Sequence, residues 1–346
     1  MNDNMNNLPG GGRYPYNVPG YDLPENAPVQ KQKSPSRILF RLALFDGGAL
    51  LLLLLVSWLF GYVLRSTSLA ELYKNNLEAS YLIDIMYTVF CIGLPFFILY
   101  LVLNKQKAFA FSLPLGGVYS GYNAFLLVFV GLGICLLGSV ITNYLAMWAD
   151  EIGYGFTSFY EALEGEPTPT TAPGVILMVV ATAVSPALLE EFAFRGVLMQ
   201  PLRKFGDWFA ILTSALLFAL MHQNMTQAPF ALIAGVALGY CAVATGSLWT
   251  GILVHLLNNL LSVALALLEN AYEASEVMII SDAAVYGFIG VGLLALIIFA
   301  LRSPAFLRLR PGKYRNAKKY VYYLSPTVII AVCVLLWVVL QDIQYG

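Results

Sequence analysis

The sequence predicts an all-α, polytopic transmembrane helical bundle of about eight to nine spans, and three observations carry that prediction. Hydrophobic residues make up 59% of the 346-residue chain and charged residues only 11%, more apolar surface than one soluble core could hide. Apolar runs of about 20 residues, the length that crosses a bilayer core, recur through nearly the whole chain after residue 37. The segments between those runs alternate in the sign of their charge. The net charge of −1 favours neither a nucleic-acid partner nor a strongly acidic one.

Residues 1–36 are rich in Asn, Pro, Gly and Tyr without an apolar period and read as a disordered cytoplasmic tail. No cleavable signal peptide is expected, because the first apolar run begins after residue 37 and is long enough to stay as an anchor. Residues 37–343 then form the transmembrane helical domain, with spans expected near 38–63, 82–103, 121–147, 174–199, 208–223, 228–246, 249–268, 284–301 and 323–340. The 208–223 run is short and ends in the polar "HQNMTQ", so it is expected to stop below the far surface or to line a cavity.

Charge orients the bundle. With the N-terminus cytoplasmic, the inner side receives Lys31, Lys33, Arg37, Arg41, Lys105, Lys107, Arg203, Lys204 and the cluster Arg302, Arg308, Arg310, Lys313, Arg315, Lys318, Lys319, and the outer loops receive only Arg65 and Lys74. Acidic residues gather outside, at Asp150, Glu151, Glu161, Glu164, Glu166 and at Glu269, Glu273, Glu276, Asp282. The basic 302–319 loop is expected to meet anionic lipids rather than substrate, at about 1 kcal/mol per residue near the surface. Cys91, Cys135, Cys241 and Cys333 all fall in apolar runs, which argues against disulfides or a cysteine metal site and for packing. Asp46 and Asp84 are expected to reach the interface, and Asn143 to hydrogen-bond between helices. No internal repeat stands out, nor do paired broken helices of the transporter kind.

The chemistry concentrates in "SPALLEEFAFRGVLMQ", residues 185–200. An ionised group at membrane depth costs at least ~2.5–3.5 kcal/mol on insertion scales, so each needs a partner or a task. On an α-helix Glu191 and Arg195 are four apart and share a face, whereas Glu190 is turned by roughly 140° from Arg195. That spacing assigns Glu191 and Arg195 to a structural pair and leaves Glu190 for proton transfer. The plainer reading is an interfacial patch, since Arg203 and Lys204 follow closely. The chain's two histidines bear on the choice. His222 closes "LLFALMH" with Phe218 one turn before it, and His255 opens "HLLNN" with Asn259 one turn after it on the same face. A single histidine in a bundle is commonly a packing residue; two that share spans with an Asn and a pair of glutamates point to a site.

The set Glu190–Glu191–x–x–x–Arg195, Phe218–x–x–x–His222 and His255–x–x–x–Asn259 resembles the three motifs of the CAAX protease and bacteriocin-processing (CPBP, also called Abi) family of intramembrane endopeptidases, which includes the Rce1-type CAAX proteases. The resemblance covers about residues 174–268, in motif order and spacing. It implies a helical bundle with a water-accessible cavity inside the membrane, Glu190 and His222 activating a water, and His255 and Asn259 forming an oxyanion hole, with Glu191, Arg195 and Phe218 in support. The chemistry agrees: hydrolysis needs a base for water, an acid for the leaving amine, and donors aimed at the tetrahedral oxyanion. Ser185 and Ser262 lack the paired base that a nucleophile needs. Glu190, His222 and His255 would also make a zinc set, but there is no H-E-x-x-H and Asn is a poor zinc ligand, so metal-free water activation is favoured and zinc stays the alternative. The expected partners are a membrane peptide or protein, with or without a prenyl group, and the lipid bilayer. The breadth of the family makes a bacterial plasma membrane the expected location. Two rival readings stand beside the protease: a non-catalytic immunity or scaffold protein on the same fold, and a transporter using Glu and His as a proton relay.

Overall fold

The computed structural model describes residues 34–155, 167–225, 227–303, 309–341 and 344–345. Most of the expected tail therefore lies outside the described residues, as do Glu161, Glu164, Glu166 and Arg308. The chain folds as a helical bundle: α1 Pro35–Ser66, α2 Leu69–Asn75, α3 Leu77–Asn104, α4 Gly121–Glu151, α5 Ala172–Phe205, α6 Asp207–Met221, α7 Gln227–Thr245, α8 Leu248–Leu268, α9 Ala274–Arg302, α10 Tyr320–Tyr323 and α11 Pro326–Gln341. Seven of these are long and apolar enough to cross a membrane, and α6 and α11 are shorter apolar helices. This is an integral, multi-pass membrane protein. Each expected span has its helix, and most of the helices run a few residues past the apolar run into polar ends. The one ladder among the described residues is a two-residue antiparallel pair, β1 Tyr154–Gly155 with β2 Gln344–Tyr345, Tyr154 opposite Tyr345.

Helix starts follow from local chemistry. Asn76, Ser120 and Thr171 each accept a backbone N–H at the head of α3, α4 and α5, and Glu273 forms a reciprocal capping box with Glu276 at the head of α9. Turns follow from glycine. Gly206, at φ 130°, is the one residue between α5 and α6, and Gly246, at φ 72°, lies under the Tyr119 ring where a Cβ would collide.

Three expectations are corrected. Asp46 does not reach the interface: it is 0% exposed, and its Oδ2 accepts from Tyr322 Oη at 3.0 Å. Glycine makes that packing possible, since a Cβ on Gly47 would lie 2.5 Å from the Thr327 backbone, so α11 seats directly on α1. Burial, and the Asp46 carboxylate beside it, hold the Tyr322 phenol well above its usual range, so it remains a donor. Cys333 is exposed on the bundle exterior rather than packed; Cys91, Cys135 and Cys241 are buried. The third correction concerns helix type: α5 is not α-helical throughout but widens to π turns at Val180–Val184 and Glu191–Leu198, and α3 does so at Thr88–Gly93. The core sits around the second wide stretch, where Phe194, Val197 and Leu198 pack with Phe96, Phe218 and Leu248.

Candidate active site

Glu190 is the last residue before α5 widens, and Glu191 the first of the wide stretch. The 3.6-residue geometry expected there does not hold across Glu191–Leu198, yet the pair four residues apart still closes. Arg195 Nη1 donates to Glu191 Oε1 at 2.7 Å, with both side chains 0% exposed. Arg195 Nη2 donates to the Gly235 carbonyl at 3.3 Å, and the guanidinium lies 4.2 Å from the Phe218 ring centroid, a cation–π contact. Two glycines that carried no signal in the sequence make room for this pair. A Cβ on Gly235 would lie 2.9 Å from Ala215 Cβ, and one on Gly251 would lie 3.0 Å from Glu191 Oε2.

His255 stands between the two glutamates. Its Nδ1 is 3.1 Å from Glu191 Oε1, and its Nε2 is 3.9 Å from Glu190 Oε2. Glu191 thus serves two partners, Arg195 and His255, where spacing suggested one. Glu190 has no arginine contact, but it is not isolated either: it faces the imidazole. The sequence could not show this, because His255 is 64 residues away on another helix.

α6 has 15 residues, about 22 Å of rise, too short for a hydrocarbon core of about 30 Å. His222 follows its last turn and so ends up within the bundle. Its Nδ1 lies 2.8 Å from the Phe218 carbonyl. A carbonyl only accepts, so Nδ1 carries a proton, and in the neutral ring Nε2 is the nitrogen with the lone pair. The Phe218 ring packs edge-on to both imidazoles, with centroids at 4.7 Å from His222 and 6.2 Å from His255. Asn259 donates through Nδ2 to the Thr182 carbonyl at 3.1 Å and accepts from Asn258 Nδ2 at 3.3 Å. One of its two amide hydrogens stays available.

Glu190, His222, His255 and Asn259 all line one cavity of about 560 Å³. Among the residues of its polar wall that sequence reasoning passed over are Asn258, which holds Asn259, and Thr182, whose carbonyl, in the first wide stretch of α5, receives the Asn259 amide. Only the "NN" doublet hinted at the first. Among the described residues, no group of three His, Cys, Asp or Glu side chains is placed to hold a metal ion.

Fold and site together define a helical membrane protein with a Glu/His/Asn cavity inside the bundle. Residues 172–261 match the family described as type II CAAX prenyl endopeptidase, Rce1-like. A Bacillus subtilis (strain 168) protein named as a candidate membrane peptidase, YdiL, is 22% identical over 134 residues, 37% of this chain and 55% of its own length. The chain thus spans about half the length of this curated relative. The family match covers the motif-bearing core, and both matches support a CPBP/Rce1-type family for it. No solved structure matches the chain.

Proposed function

We propose that this chain is an intramembrane endopeptidase that hydrolyses a peptide bond of a membrane-associated peptide or protein, using a water activated by Glu190 and His222 without a metal. The observation that carries the reading is the convergence of these two residues with His255 and Asn259 on one cavity. In its neutral form His222 offers an unprotonated Nε2, so it and the Glu190 carboxylate are two acceptors for a water's protons, and the protonated form of either can deliver one to the leaving amine. Asn259 is held by Thr182 and Asn258, which leaves one N–H for the oxyanion. His255 can add a second donor at Nε2 only when both ring nitrogens carry protons, since Nδ1–H is engaged by Glu191. Glu191 orients that ring and Arg195 fixes Glu191, so both act through His255 as positioning residues. A prenyl group on the substrate is left open.

The test is cleavage of a membrane peptide library by protein reconstituted in liposomes, read by mass spectrometry, with proton flux measured in the same vesicles. Cleavage that disappears with Glu190→Gln and His222→Ala, and persists after dialysis against a strong chelator, is the expected result. Zinc bound stoichiometrically, with activity lost to chelator and restored by the metal, would overturn the metal-free mechanism. Flux that needs Glu190 and His222 but tolerates Asn259→Ala, with no cleaved peptide, would sink the protease and favour a relay.

A further inference from the structure

The two ends of the bundle differ in charge, and the cavity belongs to one of them. One end is knitted together by backbone bonds from Leu248 to Pro114, Tyr119 to Thr245 and Tyr314 to Lys204, and by Lys318 to Ser36. It carries Lys105, Lys107, Lys204, Lys313, Lys318 and Lys319. The other end joins Thr171 to Glu78 and β1 to β2. Its described loops and helix ends carry Glu71, Asp150, Glu151, Glu269 and Glu273, with Arg65 and Lys74 the basic residues. The cavity walls come from Thr142 and Asn143 near the end of α4, Thr182 near the start of α5, His222 after α6, Gln227 at the start of α7 and Ser262 near the end of α8. Consecutive helices run in opposite directions, so all of these positions lie toward the acid-rich end. Lysine and arginine mark the cytoplasmic side, so the cavity opens outward.

Two further observations concern what enters. Thr142 Oγ1 is buried in the cavity wall without a hydrogen-bond partner, an atom that a ligand's polar backbone would satisfy. A second cavity of about 400 Å³ shares Leu136, Ser139, Asn143 and Ser262 with the first and continues between α4, α8 and α9 to Ser281 and Asp282. Asp282 is exposed at its far end.

We propose that substrate reaches the catalytic cavity from the outer face and lies extended from Glu190 through the second cavity to Asp282, so that the scissile bond belongs to the outer juxtamembrane part of a membrane peptide, with a basic residue set toward Asp282. The chemistry of this proposal rests on the endopeptidase reading; the side of access does not. With the four cysteines replaced, Ser262→Cys and Ser281→Cys should react with a membrane-impermeant maleimide in intact cells, and Lys318→Cys only after permeabilisation. The reverse pattern overturns outward access. A single-span reporter carrying separately tagged, arginine-containing segments on both sides should be cut on the outer side alone, and not by the Glu190→Gln variant. Asp282→Asn should slow that cut about two- to fivefold, in keeping with an exposed charge pair, and leave a neutral outer segment unaffected. Cutting on the inner side, or equal slowing of both segments, overturns the substrate assignment. Outer labelling with neither side cut retains the access route and defeats the endopeptidase reading instead.

Discussion

Glu190 and Glu191 are neighbours in sequence with different consequences when changed. Glu190→Gln removes a carboxylate that faces the cavity and His255 but holds no arginine, so cleavage should vanish while thermal unfolding in detergent stays put. Glu191→Gln leaves Arg195 buried without its counter-charge, a loss on the order of 3–5 kcal/mol for a buried pair, and also frees His255. It should therefore lower the unfolding temperature and the activity together; a Glu190→Gln variant that melts early, beside a robust Glu191→Gln, would reverse the two roles. On the proposed mechanism, Asn259→Ala removes a donor that acts chiefly on the intermediate. Turnover should fall by about 10²–10³ with little change in KM, measured on a purified peptide substrate.

At the scale of elements, the bundle is joined at points that hydropathy does not mark. Tyr322 and Asp46 tie α10 to α1, and Asp46 Oδ1 finds no protein partner, so Tyr322 Oη is its one bond in the structure. Tyr322→Phe should cost about 1–3 kcal/mol of stability, read as a lower unfolding temperature, with cleavage by the folded fraction unchanged. α9 leans on α4 through Gly133 and Gly292, where a Cβ on Gly292 would lie 2.8 Å from Gly133 Cα. Gly292→Val should force the two helices apart. Disulfide trapping between cysteines placed on facing positions of α4 and α9 should then fall, and retention of full trapping would show that the glycine contact is dispensable. The wide turns of α5 belong to this scale too. They place Glu190 at the junction and bring the Thr182 carbonyl to Asn259, and such turns commonly occur at functional sites.

At the scale of the whole molecule, the basic end is built as well as charged. Asp207 Oδ2 accepts the Arg310 N–H at 3.0 Å and Oδ1 accepts from Arg203 Nε at 2.8 Å, which docks the 309–314 segment under α5 and α6. We infer that this end meets anionic headgroups. In mixed-lipid nanodiscs, Lys313→Gln with Lys318→Gln should reduce the enrichment of anionic lipid around the protein, counted by mass spectrometry of retained lipid, and unchanged enrichment would reject the role.

The helices and the membrane class were legible in the sequence, because spanning a bilayer demands long apolar runs whatever packs beside them, and the positions of the seven spanning runs follow from that demand alone. The pairing of Glu191 with Arg195 was legible for the same local reason, a four-residue spacing. What only the tertiary structure decided is how separate helices share a group. Glu191 also serves His255, Asn259 rests on the Thr182 carbonyl, and Asp46 turns inward to Tyr322. Each of these contacts joins residues 64 or more apart in the chain and closes between helices; glycines let the backbones approach near Asp46 and Glu191, and the wide turns of α5 carry Thr182 and Glu191. Periodicity records how one helix meets its surroundings; it carries no information on which polar group of a distant helix will stand opposite, because that is set by the packing of the bundle as a whole.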